Sequence, residues 1–181
     1  MIRGYGKLIV AIDRSGGFGI IVYSIVATTS NFESILMRVR SSLRHYSSLS
    51  RRERRQYQHK FLKIIRSLVN EGVLLVLDVT RQYHTLLNFI NRVGERALLI
   101  VVDDYIYRPV RSKYPTLPLI PEGFLAKRSS LIRREYGMNP VVLDSLRLIA
   151  DNLACYSREQ IVRFNRKLED IRKILPVTWK I

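Results

Sequence analysis

Short apolar runs alternate with longer amphipathic segments along this chain. Residues 8–12 are apolar and stop at Asp13, and three closely spaced glycines separate them from a second apolar run at residues 20–23. This pattern predicts a buried strand, a tight reversal and an antiparallel partner strand that continues to about Thr28. Apolar side chains at Phe32, Ile35, Met37 and Val39 then predict a third strand over residues 31–40, completing an antiparallel meander.

A helix and a strand–helix–strand unit are predicted next. Ser50 and Glu53 have capping-box spacing at the start of a helix that Gly72 ends. A strand at residues 73–77, a helix at 80–93 and a strand at 97–102 follow. Their nearly continuous apolar strands predict a βαβ unit with parallel pairing.

The C-terminal half is predicted to be a surface loop followed by helices. Residues 108–123 contain four prolines and no periodicity, which predicts a long Pro-rich loop. Asn139 and Pro140 begin a helix that runs to about residue 154, and a C-terminal helix is predicted at residues 158–175. The predicted fold is a single α/β domain over residues 1–181, with a mixed five-stranded sheet flanked by helices.

Composition narrows the class of protein. The 181 residues are 47% hydrophobic, as in a globular chain, and no apolar run reaches the roughly 20 residues that span a bilayer. Cys155 is the only cysteine, which excludes a disulfide framework and a cysteine-rich metal site. We expect a cytoplasmic protein without a membrane partner. Abundant Arg, Ile and Tyr with little Gln and Cys favour a thermophilic source.

The charge predicts an anionic partner. The chain has 31 Lys+Arg against 15 Asp+Glu, a net charge of +16. Repulsion among these positive charges destabilises a compact state unless a polyanion binds. Nucleic acid, either RNA or DNA, is the first candidate, ahead of an anionic membrane or an acidic protein. The predicted nucleic-acid contacts are basic side chains in two groups: Arg51, Arg52, Arg54, Arg55, Lys63, Arg108, Arg111 and Lys113.

Aspartates follow three of the predicted strands. They are Asp13, Asp78 and the pair Asp103-Asp104. Any one of them can cap a turn or helix, but a right-handed crossover would bring Asp78 and Asp103 to the same edge of the sheet. If the first strand lies parallel beside these strands, Asp13 joins that edge. Clustered carboxylates resist ionisation unless a cation binds them, and Mg²⁺ or Mn²⁺ accepts such oxygen ligands. These aspartates are therefore predicted metal ligands.

The element order and several short motifs resemble the ribonuclease H-like superfamily. Asp13-Arg-Ser followed by Gly17-Phe-Gly-Ile-Ile-Val-Tyr is similar to its first two strands, and Leu77-Asp78-Val-Thr to its second catalytic segment. The resemblance implies that Asp13, Glu53, Asp78 and Asp144 are catalytic and bind two Mg²⁺ or Mn²⁺ ions, with Asp151 the alternative to Asp144. It also implies hydrolysis of phosphodiester bonds in a structured or hybrid nucleic acid. The capping box alone also explains Glu53.

Two alternatives stay open. PIN or NYN-type ribonucleases also gather aspartates at the ends of parallel strands, and Asp103-Asp104 is similar to their acidic strand end, although their sheet lacks the predicted opening hairpin. A basic domain can also bind RNA or DNA without catalysis, either as part of a ribonucleoprotein or as an inactive nuclease fold. Metal-dependent cleavage distinguishes the last alternative from both nuclease classes.

Overall fold

The computed structural model describes residues 7–17 and 19–179. Its described part contains these strands: β1, Leu8–Gly17; β2, Ile20–Thr29; β3, Val76–Thr80; β4, Ala97–Val102; β5, Leu119–Pro121; and β6, Thr178–Trp179. It contains these α-helices: α1, Glu33–Arg40; α2, Arg51–Asn70; α3, Tyr83–Gly94; α4, Asp104–Lys113; α5, Glu122–Lys127; α6, Ser129–Tyr136; α7, Pro140–Phe164; and α8, Leu168–Ile174.

The strands form one mixed sheet in the order β5-β4-β1-β2-β3-β6. Strands β1, β2 and β3 pair antiparallel, whereas β4 runs parallel to β1 and β5 parallel to β4. The predicted α/β class and mixed sheet are confirmed, but the described residues give six strands rather than five. The predicted hairpin is present, and Gly19 in its turn has a φ of 76°, a conformation that glycine adopts without strain.

The predicted third strand is wrong. Glu33–Arg40 is helix α1, because Ile35, Leu36 and Val39 follow a helical spacing and Leu36 is buried. Strand β3 takes the third antiparallel position instead. Strands β3 and β4 are therefore not neighbours, since β1 and β2 lie between them, and the predicted parallel pairing within the βαβ unit is also wrong.

The C-terminal half is more regular than predicted. Part of the Pro-rich stretch forms α4, which contains Pro109, and the short strand β5. Helix α7 continues through the predicted break at Ser157, whose side chain is buried. It ends at Phe164, and Asn165 follows in the left-handed region. The predicted helix at 158–175 is therefore the end of α7 followed by α8.

Helices cover both faces of the sheet. Helices α2 and α7 pack on one face over residues such as Ile9, Ala11 and Val101, and α3 and α4 pack on the other over Leu8 and Ile100. Because side chains alternate along a strand, neighbouring residues of β1 belong to different cores. Among the helices of the described residues, none has the length and apolarity that crossing a membrane requires.

Candidate metal centre

Three neighbouring parallel strands end at the same level of the sheet. Ile12 of β1 pairs with Val102 of β4, which in turn pairs with Pro121 of β5. Because the strands run in one direction, the residues that follow these partners emerge at a common edge. Those following residues are all acidic: Asp13, Asp103 and Glu122.

We call these three residues the acid cluster. One carboxylate oxygen from each of them lies within 4.8 Å of the others. Asp13 is only 6% exposed, and no basic side chain among the described residues contacts its carboxylate. Its hydrogen-bond donor is the backbone N–H of Arg14. Closely spaced carboxylate oxygens are the ligands of hard divalent cations. The acid cluster could therefore hold a metal ion.

The environment of Asp13 disfavours its charged form. Burial is the largest cause that raises the pKa of Asp13 well above its ordinary value, and the charges of Asp151, Asp103 and Glu122 raise it further. The Arg14 N–H opposes these effects only in part. A bound cation would remove the repulsion, so protons and metal ions compete for this side chain.

The other two acids respond in the same direction. Burial raises the pKa of Asp103, although hydrogen bonds from the first turn of α4 and the charge of Arg14 oppose it. Burial also raises the pKa of Glu122, and the Arg147 guanidinium beside it does not reverse this. The pKa values of all three acids are therefore raised, because the nearby positive charge does not offset burial and the repulsion between the carboxylates.

Helix α7 brings a fourth acid to the site. The Ser24 hydroxyl donates to the Ala150 carbonyl at 2.7 Å and so ties α7 to β2 on the face to which Asp13 points. The next residue, Asp151, raises the pKa of both Asp13 and Glu122 through its negative charge. Asp151 is therefore part of the same electrostatic site as the acid cluster.

Arg147 supplies a partly buried cation beside the acids. Its guanidinium, 12% exposed, pairs with Glu122 at 2.5 Å and with Asp144 at 2.9 Å, and lies 2.9 Å from Nε2 of His45. Since Arg147 can only donate, His45 accepts at Nε2 and donates from Nδ1 to Asp151, 3.1 Å away. A cavity of about 560 Å³ lined by His45, Glu122, Asp144 and Arg147 opens here.

Asp78 lies apart from the acid cluster, contrary to the prediction. It lies within β3 rather than after it, and it pairs with Ile25 of β2. The Ile25 side chain packs on the face covered by α3 and α4, whereas Asp13 points to the face covered by α2 and α7. Arg172 binds both of its carboxylate oxygens, at 3.0 and 3.1 Å, and Trp179 Nε1 donates at 3.2 Å. Its charge is therefore already compensated.

Glu53 and Asp144 are also engaged in other contacts. Glu53 and Ser50 form the predicted capping box, in which the Ser50 N–H donates to Glu53 at 2.9 Å. Burial would raise the pKa of Asp144, but hydrogen bonds from Arg147 and Arg40 outweigh it and hold that pKa below its ordinary value. Neither carboxylate belongs to the group of three that could hold a metal ion.

Asp104 is a neighbour of the acid cluster rather than a member of it. The residue lies in the first turn of α4, where its carboxylate accepts a hydrogen bond from the Gly123 N–H at 3.1 Å. This contact fixes the start of α5, immediately beside Glu122. Asp104 therefore positions the segment that carries one of the three acids.

The predicted basic residues fall into two separate groups. Helix α2 carries Arg51, Arg52, Arg54, Arg55 and Lys63, whereas Arg108, Arg111 and Lys113 belong to α4, on the other face of the sheet. Arg54 and Arg111 mainly hold the fold together. Arg54 donates to the Leu49 and Ser47 carbonyls, and Arg111 to three carbonyls around the start of β5.

Three residues of this site were missed from the sequence: Glu122, Arg147 and His45. The only local signal for Glu122 is a short apolar run before a carboxylate, Leu119-Ile-Pro-Glu122, inside a stretch interpreted as a loop. Arg147 has Asp144 three residues earlier, a spacing that predicts an ion pair on a helix. Nothing local distinguishes His45, because its role depends on contacts with α7.

No protein-family model matches this chain, and no curated protein matches it.

Proposed function

We propose that this protein is a divalent-metal-dependent nuclease that hydrolyses phosphodiester bonds at the acid cluster. The observation that carries the proposal is Asp13: a carboxylate only 6% exposed that faces other carboxylates and no cation. Buried carboxylates that repel one another in this way do not stabilise the fold, but they are suitable ligands for a hard divalent cation. The net charge of +16 supports a polyanionic substrate.

The resemblance to the ribonuclease H-like superfamily fits this proposal if three of the four predicted catalytic residues are replaced by others. Three antiparallel strands continued by parallel strands support it, and the antiparallel β1–β2 hairpin favours it over a PIN or NYN-type ribonuclease. Asp103 replaces Asp78 as the acid that ends a strand beside β1 and precedes a helix. Glu122 and Asp151 then replace Glu53 and Asp144.

The residues of the site divide into metal ligands and residues that position them. Asp13, Asp103 and Glu122 would hold Mg²⁺ or Mn²⁺. When bound, such an ion would polarise a phosphate oxygen and activate a water. Arg147 orients Glu122, and His45 is held by Asp151 at the rim of the cavity. In a two-metal reaction, Asp151 is the further carboxylate available to a second ion.

The competing function is nucleic-acid binding without catalysis. The ion pair between Arg147 and Glu122 favours it, because this pair already places a positive charge beside the acid cluster. A protein of this kind would bind RNA or DNA through its basic surface, and it would neither take up divalent ions nor cleave.

Calorimetric titration with Mn²⁺ separates the two functions. We expect wild type to bind Mn²⁺, Asp13→Asn to lose binding, and the matched Asp78→Asn to keep it, since Asp78 is 7% exposed but bound to Arg172. A panel of single-stranded, duplex and hybrid oligonucleotides should show Mn²⁺-dependent cleavage that Asp13→Asn abolishes. Absence of both Mn²⁺ binding and cleavage in the wild type would leave only the binding function.

A further inference from the structure

A groove leaves the acid cluster along the second half of α7. A cavity of about 370 Å³ is lined by Ser15, two residues after Asp13, and by Cys155 and Arg158. The Cys155 thiol donates to the Asp151 carboxylate at 3.5 Å, so this cavity begins beside the acids. Arg158 also donates to the Gly17 carbonyl, which places the β1–β2 hairpin along the groove.

The groove continues to the start of α2. A second cavity, of about 340 Å³, shares Glu159 and Arg163 with the first and is also lined by Arg51, Arg55 and Phe164. Glu159 is already bound to Arg163 and to the Tyr46 hydroxyl. The second cavity is therefore lined mainly by positive charge.

Arg51 and Arg55 are available to an external anion. Both side chains are exposed, and within the described residues neither has an ion pair or a hydrogen-bonded side-chain partner. They lie four residues apart, so they are on one stripe of α2 and repel each other. They also lie in the first turns of the helix, where cations oppose the macrodipole. Phosphates in this cavity would relieve both repulsions.

Two exposed aromatic rings lie near this path, Phe164 in the second cavity and Tyr105 in the first turn of α4. Tyr105 and Phe164 are 80% and 60% exposed, more than any other large hydrophobic side chain of the described residues. Each has an arginine over its ring, Arg14 at 5.4 Å from Tyr105 and Arg166 at 5.9 Å from Phe164. The Tyr105 backbone N–H donates to the carboxylate of Asp103, so the start of α4 that carries this ring lies next to the acid cluster.

The path has the length of a short oligonucleotide. Asp151 and Phe164 are 13 residues apart on α7, which corresponds to about 20 Å at a rise of about 1.5 Å per residue. A stacked strand rises by about 3.4 Å per nucleotide, so about six nucleotides would cover this distance.

We infer that the groove takes single-stranded nucleic acid, with unpaired bases stacked on Tyr105 and Phe164 and phosphates beside Arg51 and Arg55. A base in a duplex cannot stack on a protein ring without leaving its helix, whereas unpaired bases stack readily on exposed aromatics next to cations. This inference rests on the proposed function in one respect, since the strand is a substrate only if the acid cluster cleaves it.

Binding measured without divalent ions tests whether the groove takes a single strand, separately from catalysis. Fluorescence anisotropy in EDTA would compare a labelled single strand of about eight nucleotides with the same sequence in a duplex. We expect tighter binding of the single strand. Tyr105→Ala and Phe164→Ala should each weaken that binding by about 5- to 100-fold, and Tyr105→Phe should retain it. Both replaced rings are exposed, and the melting temperature checks that each variant is folded.

Charge variants test the phosphate contacts. Arg51→Ala/Arg55→Ala should reduce the slope of log K against log salt by about 1.4, because each single-strand phosphate contact contributes about 0.7. The control Arg81→Ala/Arg92→Ala removes the same charge from exposed positions flanking or within α3, on the other face, and should leave the slope unchanged.

The inference would be overturned by duplex binding as tight as that of the single strand, or by aromatic variants that bind like wild type. A Phe164→Ala variant with an altered oligomeric state and unchanged oligonucleotide affinity would assign Phe164 to a protein contact and also overturn it. The Mn²⁺ titration is independent of these measurements. If the single-strand binding tests fail and Mn²⁺ still binds, only this inference is rejected. If the single strand binds as expected and Mn²⁺ does not, only the proposed function is rejected.

Discussion

Asp13 and Asp78 show how two equally buried aspartates can differ in role. Their exposures are 6% and 7%, and each follows an apolar run on a central strand. Asp78 receives two hydrogen bonds from Arg172 of α8 and one from Trp179 of β6, which link both elements to β3. Asp13 has three acidic neighbours instead. Burial alone therefore does not distinguish a candidate metal ligand from a structural carboxylate, whereas the charge of the neighbouring side chains does.

The matched substitutions Asp13→Asn and Asp78→Asn should change stability in opposite directions. Asp78→Asn leaves Arg172 without its charged partner and should lower the free energy of unfolding by about 1–3 kcal/mol. Asp13→Asn removes a carboxylate that burial and like charges destabilise, so it should raise the stability of the metal-free protein at neutral pH. Urea unfolding in EDTA measures both values. A loss of stability in Asp13→Asn would mean that this carboxylate has a compensating partner.

The stability gained by Asp13→Asn should depend on pH. Because the native pKa of Asp13 is raised, the folded protein holds this proton more tightly than the unfolded chain. Below its ordinary pKa of about 4, the protonated Asp13 side chain therefore does not lower the free energy of unfolding of the wild type. That free energy decreases as pH rises through the raised native pKa. The difference between variant and wild type should vanish near pH 4 and grow toward neutrality.

Saturating Mn²⁺ sharpens this test. The ion should stabilise the wild type at neutral pH by about 2.7 kcal/mol at 100 times its dissociation constant, and it should leave Asp13→Asn unchanged. Protons compete for the same oxygens, so the stabilisation by Mn²⁺ should shrink as pH falls. A stability difference between the two proteins that does not vary with pH would contradict the proposed electrostatics of Asp13.

Glu53→Ala should have the smallest effect. Its carboxylate completes the capping box of α2 and pairs with Arg44, while its side chain remains 45% exposed. We expect a slight decrease in melting temperature, smaller than that of Asp78→Asn, and an unchanged Mn²⁺ titration. A variant that loses Mn²⁺ binding would restore Glu53 to the metal site and would weaken the comparison between Asp13 and Asp78.

Local sequence patterns predicted the elements whose signals lie within a few residues. The capping box at Ser50, the β1–β2 hairpin and the strand Ala97–Val102 all occur as predicted. The signal was weaker where apolar spacing fitted two periods. Phe32, Ile35 and Val39 fit a helix as well as an imperfect strand, and packing of α1 against α7 favours the helix.

The sequence by itself determined that acidic residues follow apolar strands in a strongly basic chain. It also determined that Asp13 and Asp103 were candidates for one site. Only the tertiary structure decided which acids meet. Strand order separated β3 from β4, alternation turned Asp78 to the opposite face, and the short strand β5 brought in Glu122. Strand neighbours and side-chain faces depend on pairing between distant segments, and local periodicity carries no information about that pairing.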